Sequence, residues 1–322
     1  MKKILITGGL GFIGYHSIKK WKSANWKVTV VDNASSNAIE KDHEILDNVD
    51  LIIQDLNSVN QSKLTNFDLI LHLASPVGPV GVLKHAGYMA KKILDDLYWC
   101  IDLAKRNDCP LIFVSTSEIF GYRDIKTNLS EDDDKVFHNG YTIRNEYSSA
   151  KLLAEIVLTN LSKVDKKLKY QIIRPFNVTG AYQLPDGGFV LPRFVLQAIR
   201  NEPLSVYGNG NQKRAFTWVG DIVNGIYLTS LAKENDWNQK WNIGNEKNEK
   251  SIEYLANKVV ELSGSKSEVV KIDPKELHGK LFDEAPEKIP NSTKIRNTLG
   301  WQPTKNIDEV ILEVLNFYNA LN

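Results

Sequence analysis

The chain has little cysteine: two residues in 322, Cys100 and Cys109, with no C-x-x-C spacing. That excludes a disulfide framework and a thiolate metal site, and the pair is expected as core thiols of a reducing compartment. Net charge is almost absent too. Forty Lys and Arg against 39 Asp and Glu leave +1, too weak a field to draw nucleic acid or a membrane surface. The run "KVDKKLK" at Lys163–Lys169 is expected as a solvated helix end. No apolar run approaches the ~18 residues needed to span a bilayer. The start "MKKILITGGLGFIG" has the basic opening of a secretory leader. Four glycines interrupt its apolar run, however, and "YHSIKKWK" follows where a small-residue cleavage site belongs. A cytoplasmic protein is expected, without membrane or nucleic-acid partners and without a metal. Neither internal repeats nor low-complexity segments are visible.

What is present is alternation. Short apolar runs, "KILIT" from Lys3, "KVTVVD" at Lys27–Asp32, "VDLIIQD" at Val49–Asp55, "DLILHLA" at Asp68–Ala74, "PLIFVST" at Pro110–Thr116 and "YQIIRP" at Tyr170–Pro175, have the form of buried strands. Helical stretches at His85–Lys105 and Tyr147–Leu161 separate the last three. Nearly continuous apolar strands joined by helices predict an α/β fold with a doubly wound parallel sheet covered on both faces. After Pro175 the texture changes: a loop "NVTGAYQLPDGG", a helix over Phe189–Arg200, then strand, turn and strand in "LSVYGNGNQKRAFTWV". The tail "NSTKIRNTLGWQP" has a short helix closed by glycine and ended by proline. Residues 1–178 are expected to form the dinucleotide-binding Rossmann domain and 179–322 mainly a smaller mixed α/β substrate-binding domain, with segments near 213–245 returning to the first.

Gly8, Gly11 and Gly14 stand in a G-x-x-G-x-x-G pattern directly after the first strand. Glycine there allows the tight turn, the approach of a pyrophosphate to the backbone, and close packing of the following helix. Free N–H groups at that helix start suit phosphate. Asp32 ends the second strand about twenty residues on, where a carboxylate accepts hydrogen bonds from an adenosine ribose. Asn33 follows it and no arginine stands nearby for a 2′-phosphate, which favours NAD over NADP. Asp55 closes the third strand, in reach of the adenine amine.

"YSSAK", Tyr147–Lys151, sets a phenol and an ammonium one helical turn apart. A neighbouring positive charge lowers a phenol's pKa and prepares it to take a proton from an alcohol while hydride leaves. In "STSEIFG", at the end of the fifth strand, Thr116 or Ser117 can hydrogen-bond the reacting oxygen. Glu118 adds a carboxylate able to act as acid or base.

Together "TGGLGFIG", "HLAS", "STSEIFG", "YSSAK", "RPFNVTG", "GNGNQKRAFTWVGDIV" and "LGWQP" resemble, in order and over nearly the whole length, the extended short-chain dehydrogenase/reductase family. The likeness is to its nucleotide-sugar epimerases, dehydratases and decarboxylases. The resemblance implies a catalytic triad of Thr116 or Ser117 with Tyr147 and Lys151. It also implies NAD regenerated within each cycle, with further cofactor contacts from Phe12, Ile13, Leu56, Leu73, Ala74 and Ser75. It implies substrate contacts from Asn177, Arg193, Val206, Tyr207 and Arg214, with the diphosphate met by Asn177 and Arg214 and the base bracketed by "LSVYG".

The resemblance further implies oxidation of a sugar's carbon 4 to a ketone. Loss of water or carbon dioxide, or return of hydride to the other face as in a 4-epimerase, would then follow. "T-S-E" at Thr116–Glu118 resembles GDP-mannose dehydratases and UDP-glucuronate decarboxylases, and Glu118 favours elimination. The tail departs from the family's pattern, with Lys288 and Asn291 where arginine and aspartate are commoner. An oxidoreductase of another small alcohol and a catalytically inactive dinucleotide-binding protein are the other readings. By the same resemblance a homodimer is expected, paired through His85–Lys105 and Tyr147–Leu161.

Overall fold

The computed structural model describes residues 1–122, 128–136, 141–279, 281 and 287–321. Six early strands, β1 (Lys3–Thr7), β2 (Lys27–Asp32), β3 (Asp50–Ile53), β4 (Leu69–His72), β5 (Leu111–Val114) and β6 (Tyr170–Pro175), join a late one, Gln239–Ile243, in one sheet. All neighbours are parallel, in the order late strand, β6, β5, β4, β1, β2, β3. Strand order reverses between β1 and β4, which opens a ligand crevice beyond their carboxyl ends.

Consecutive strand residues point to opposite faces, and both faces are covered, hence the unbroken apolar runs. Leu5, Ile70, Phe113 and Ile172 pack under helices α3 (Met89–Asn107) and α4 (Ile143–Val164). Their strand neighbours Ile4, Leu71, Ile112 and Ile173 pack on the other face, with α1 (Phe12–Ser23) and α6 (Val219–Ser230). Each such side chain, fully removed from water, contributes about 1.5–3 kcal/mol. Helix α3 shows why it lies down on the sheet: Ile93, Leu97, Cys100, Ile101 and Ala104 are buried at helical spacing.

A third core gathers Leu191, Phe194, Val206, Leu255, Val310 and Val314. It lies among α5 (Val190–Ile199), α7 (Ile252–Ser263) and the C-terminal helix Ile307–Leu321.

The helix expected from His85 to Lys105 starts four residues later, and a separate short helix precedes it. Helix α2 (Pro79–Lys84) stops at His85, and α3 starts at Met89 after Gly87, which sits at φ +82. The two strands expected across "LSVYGNGNQKRAFTWV" do not pair with each other. Leu204–Tyr207 pairs with Val269–Ile272, and Lys213–Ala215 with Glu249–Ser251. Among the described residues no helix is long and apolar enough to cross a membrane.

Candidate active site

The dinucleotide cradle is built by close approach. Gly8 turns at φ +71, and a Cβ there would sit 2.8 Å from the Ala74 nitrogen. A Cβ at Gly14 would lie 2.2 Å from the Gly8 carbonyl oxygen. Any larger side chain at Gly14 must therefore push α1 off the turn. No side chain caps the start of α1 at Gly11, so its first N–H groups face outward. Thr7 Oγ1 accepts from the backbone N–H groups of both Leu73 and Ala74 at 3.2 Å and meets His72 Nδ1 at 2.8 Å. Burial holds that imidazole neutral, its pKa pushed down to about 3. These bonds hold Leu73 and Ala74 beside the cradle, with Ser75 next in the chain.

Asp32 is buried at the end of β2, and burial raises its carboxyl above the usual range. One oxygen accepts from Leu10 N at 3.0 Å and the other from Ala34 N at 2.8 Å. Each keeps a further lone pair for a ribose hydroxyl. Asp55, expected in reach of the adenine amine, takes an ion pair from Lys92 at 2.7 Å and caps the turn that begins at Leu56 through Asn57 N. Partial burial pushes it up, but Lys92 outweighs this and holds it below its ordinary value. Asn33 Nδ2 reaches it at 3.5 Å. Phe12 and Ile13 open α1, packing against the second core. The glycine cradle, open helix start and Asp32 fit a dinucleotide.

Thr116, just beyond β5, stands beside the Tyr147 phenol on α4, close enough to oppose the rise of its pKa. It also accepts from Glu118 N at 3.1 Å, which starts the short helical turn Ser117–Phe120. Of the two hydroxyl candidates, both buried, Thr116 is the one beside the phenol.

The expected relation between Tyr147 and Lys151 needs correcting. Burial first, then the charge of Glu118, raises the phenol's pKa well above its ordinary value, with Thr116 and Arg144 opposing. Lys151 donates to the Val114 carbonyl at 3.0 Å and lies 4.8 Å from the centre of the Phe113 ring. Burial brings its own pKa down to about 8, against Asp96 and Glu155. Within the protein alone, low dielectric outweighs the favourable charge.

Glu118 has partners that the sequence did not suggest. Arg144, three residues before Tyr147 on α4, donates to it at 2.9 Å, and Lys288 lies 3.2 Å away from the far end of the chain. Burial works against ionisation, yet Lys288 and Arg144 prevail and bring its pKa to about 2. Glu118 is thus a fixed anion and not a proton donor. Arg144's helical spacing from Tyr147 was a usable signal; nothing local joined Lys288 to this site.

Arg214 is buried and adds its charge to the field at Lys288, while its Nη1 donates to the Lys213 carbonyl at 2.8 Å. Arg193 stacks 3.8 Å over the Tyr207 ring and donates to the Ser205 carbonyl at 3.1 Å. Val206 spends its side chain in the third core, so only its main chain can meet a base. Asn177 adopts φ +40 in the turn after β6, its carbonyl receiving Thr217 N at 3.0 Å.

Fold and site together define an enzyme of the Rossmann type. Residues 4–244 match the NAD dependent epimerase/dehydratase family, and the chain belongs to it. Its cofactor is NAD. A UDP-N-acetyl-alpha-D-glucosaminuronate decarboxylase of Bacillus cytotoxicus is 30% identical over 99% of this chain and 98% of that one. UDP-glucuronic acid decarboxylase 1 of Xenopus tropicalis is 31% identical over 98% of this chain and 72% of its own. In fold the chain is similar to a UDP-glucuronic acid 4-epimerase of Bacillus cereus, solved with UDP-glucuronic acid and NAD, with TM-score 0.84, 23% identity and coverage of 99% and 100%.

Proposed function

We propose that this protein is a decarboxylase of a nucleoside-diphosphate uronate, a sugar nucleotide with a carboxylate on carbon 5. The carrying observation is the charge around Glu118. Arg144 and Lys288 pair with it and Arg214 stands close by, so three cations surround one anion and leave a site suited to a further carboxylate. The relatives named as decarboxylases, matched along nearly the whole chain, support the same reading.

When bound, NAD supplies the hydride acceptor and a positive charge beside the phenol. Tyr147 then takes the proton of the carbon-4 hydroxyl, and Thr116 holds the same oxygen. The resulting ketone lies β to the carboxylate, so the bond to that carboxyl breaks with its electron pair passing into the carbonyl. Asn177 and Arg214 would hold the diphosphate, with the Arg193–Tyr207 stack at the base end.

In this reading 1–178 carries the cofactor and 179–322 mainly the substrate. Exposed Leu153 and Ile156 on α4 and Tyr98 on α3 support a homodimer paired through those helices. The free, buried Cys100 and Cys109 support a cytoplasmic setting.

The test is incubation with UDP-glucuronate, UDP-N-acetylglucosaminuronate, UDP-glucose and GDP-mannose, followed by mass spectrometry. Loss of carbon dioxide from a uronate is expected. Loss of water, or an isomer of unchanged mass, would replace this reading with dehydration or epimerisation.

A further inference from the structure

Tyr147 can serve as a base, in the reading on which this inference rests, only while the Lys151 ammonium one helical turn away keeps its charge. Lys151 is 2% exposed, and a buried ammonium is costly unless an anion compensates it. It donates to the neutral Val114 carbonyl at 3.0 Å, and among the described residues no carboxylate forms an ion pair with it. Its charge must be held from a short distance.

Two buried carboxylates act on it. Glu155, one turn further along α4, is spent on other partners. Its Oε1 accepts from Arg174 Nε at 3.1 Å and from Ser115 Oγ at 2.6 Å, and its Oε2 accepts from Arg174 Nη2 at 2.6 Å. Asp96 on α3 is engaged on one oxygen only. Oδ1 accepts from Lys92 Nζ at 2.9 Å and from Asn57 Nδ2 at 3.1 Å, and among the described residues Oδ2 accepts no hydrogen bond.

The other groups around the pair add no negative charge. His72 on β4 is neutral, with its pKa near about 3, and burial keeps the Cys100 thiol of α3 protonated. Lys92 is itself a cation, shared between Asp96 and Asp55, the latter at 2.7 Å. Signs therefore alternate inward from the crevice edge through Asp55, Lys92, Asp96 and Lys151. The first three side chains are 39%, 30% and 3% exposed, so screening by water fades along the series.

We propose that Asp96 is a positioning residue that acts through Lys151: its buried carboxylate keeps the ammonium charged, and Lys92 sets how much of that negative charge reaches it. Burial brings the Lys151 pKa down to about 8, and Asp96 opposes this ahead of Glu155. Burial also raises the Asp96 carboxyl, with Lys92 opposing, Asp55 raising it further and Lys151 opposing. The Lys151 charge is present at neutral pH and is lost as pH rises through about 8. Without the Asp96 charge, that loss moves down into the neutral range.

The test reads the ammonium directly. Lysine 13Cε NMR follows the titration of Lys151 in the whole protein without substrate, from about pH 6 to about pH 10. The resonance is identified by its absence from Lys151→Met. First-turnover hydride transfer from UDP-glucuronate and UDP-N-acetylglucosaminuronate to NAD is measured over the same range. In Asp96→Asn the Lys151 midpoint should fall by roughly one unit, and the alkaline loss of hydride transfer should fall with it. Asp96→Glu, which restores the charge, should recover most of the shift. Lys92→Met should move both midpoints upward, because Asp96 then faces Lys151 alone.

A Lys151 midpoint unmoved or raised in Asp96→Asn would overturn the role, as would slower hydride transfer with no change in its pH profile. Where Asp96→Asn does not fold, Lys92→Met decides alone: a raised midpoint supports the role, and an unchanged or lowered one overturns it. If the midpoints shift as stated while neither uronate transfers hydride, the reading of the reaction fails and the hold of Asp96 on Lys151 stands. Hydride transfer with unshifted midpoints removes Asp96 and leaves that reading intact.

Discussion

At the scale of single residues, the site works by setting ionisation states against one another. Glu118 is kept charged by two cations, and this has a pH signature that separates its structural from its chemical part. Its folded pKa is about 2 against an ordinary 4.5, so its stabilisation is complete above about pH 4.5 and is lost as pH falls through about 2. Glu118→Gln should therefore cost roughly 3 kcal/mol at pH 7, because Arg144 and Lys288 are left facing each other without an anion. Urea unfolding at pH 7 and pH 3 checks this: the gap between variant and wild type should narrow at the lower pH. An unchanged gap would mean that the loss comes from packing and not from charge. Much of this scale was legible in the sequence. Tyr147, Lys151, Thr116 and the glycines are read from local spacing, since each pair lies within a turn or at a strand end. Lys288 was visible only as a departure from a pattern, because its partner lies in a distant segment and ion pairing leaves no local trace.

Elements were legible where one period dominates, and less so where one element completes another. The six early strands follow from apolar runs. The break between α2 and α3 does not, because the cap of α3 belongs to a different helix. Tyr88, at the cap position, contributes no side-chain bond. Glu146, adjacent to Tyr147, accepts instead from Gly87 N at 2.7 Å, Met89 N at 3.0 Å and Ala90 N at 3.4 Å. A carboxylate at a helix start also meets the positive end of the helix dipole. Glu146→Ala should cost about 1 kcal/mol and speed amide exchange at Met89 and Ala90, with the exchange of β1 unchanged. Exchange at those two amides equal to wild type would show that water replaces the carboxylate at no cost. The pairing of Leu204–Tyr207 with Val269–Ile272 escaped the sequence for a related reason: its partner is a short, partly exposed strand far along the chain, paired in parallel and so not marked by a hairpin turn.

At the scale of the whole molecule, a buried polar chain ties the sheet, a helix and the C-terminal segment together. Arg174 on β6 donates to Glu155 on α4 through Nε at 3.1 Å and Nη2 at 2.6 Å, their side chains 1% and 4% exposed. Ser115 adds a third bond to Glu155 at 2.6 Å. The remaining Arg174 nitrogen, Nη1, donates to the Glu131 carbonyl at 2.8 Å, while the Glu131 carboxylate accepts Asn242 N at 2.8 Å from the late strand. Two residues back, Leu129 pairs with the segment that carries Lys288. Within "YQIIRP" the sequence shows a buried strand but gives no sign that its arginine is matched by a glutamate on the preceding helix. Burying both charges is expensive, so the pair adds little net stability while the loss of one partner costs much. Glu155→Leu alone should destabilise the protein by about 3–5 kcal/mol, leaving Arg174 charged in the core. Adding Arg174→Met should recover a large part of that loss, and a double-mutant cycle by urea unfolding measures the difference. Simple additivity of the two losses would mean that the charges do not act as a pair, and that the links to Ser115 and Glu131 carry the connection between the sheet and the C-terminal segment.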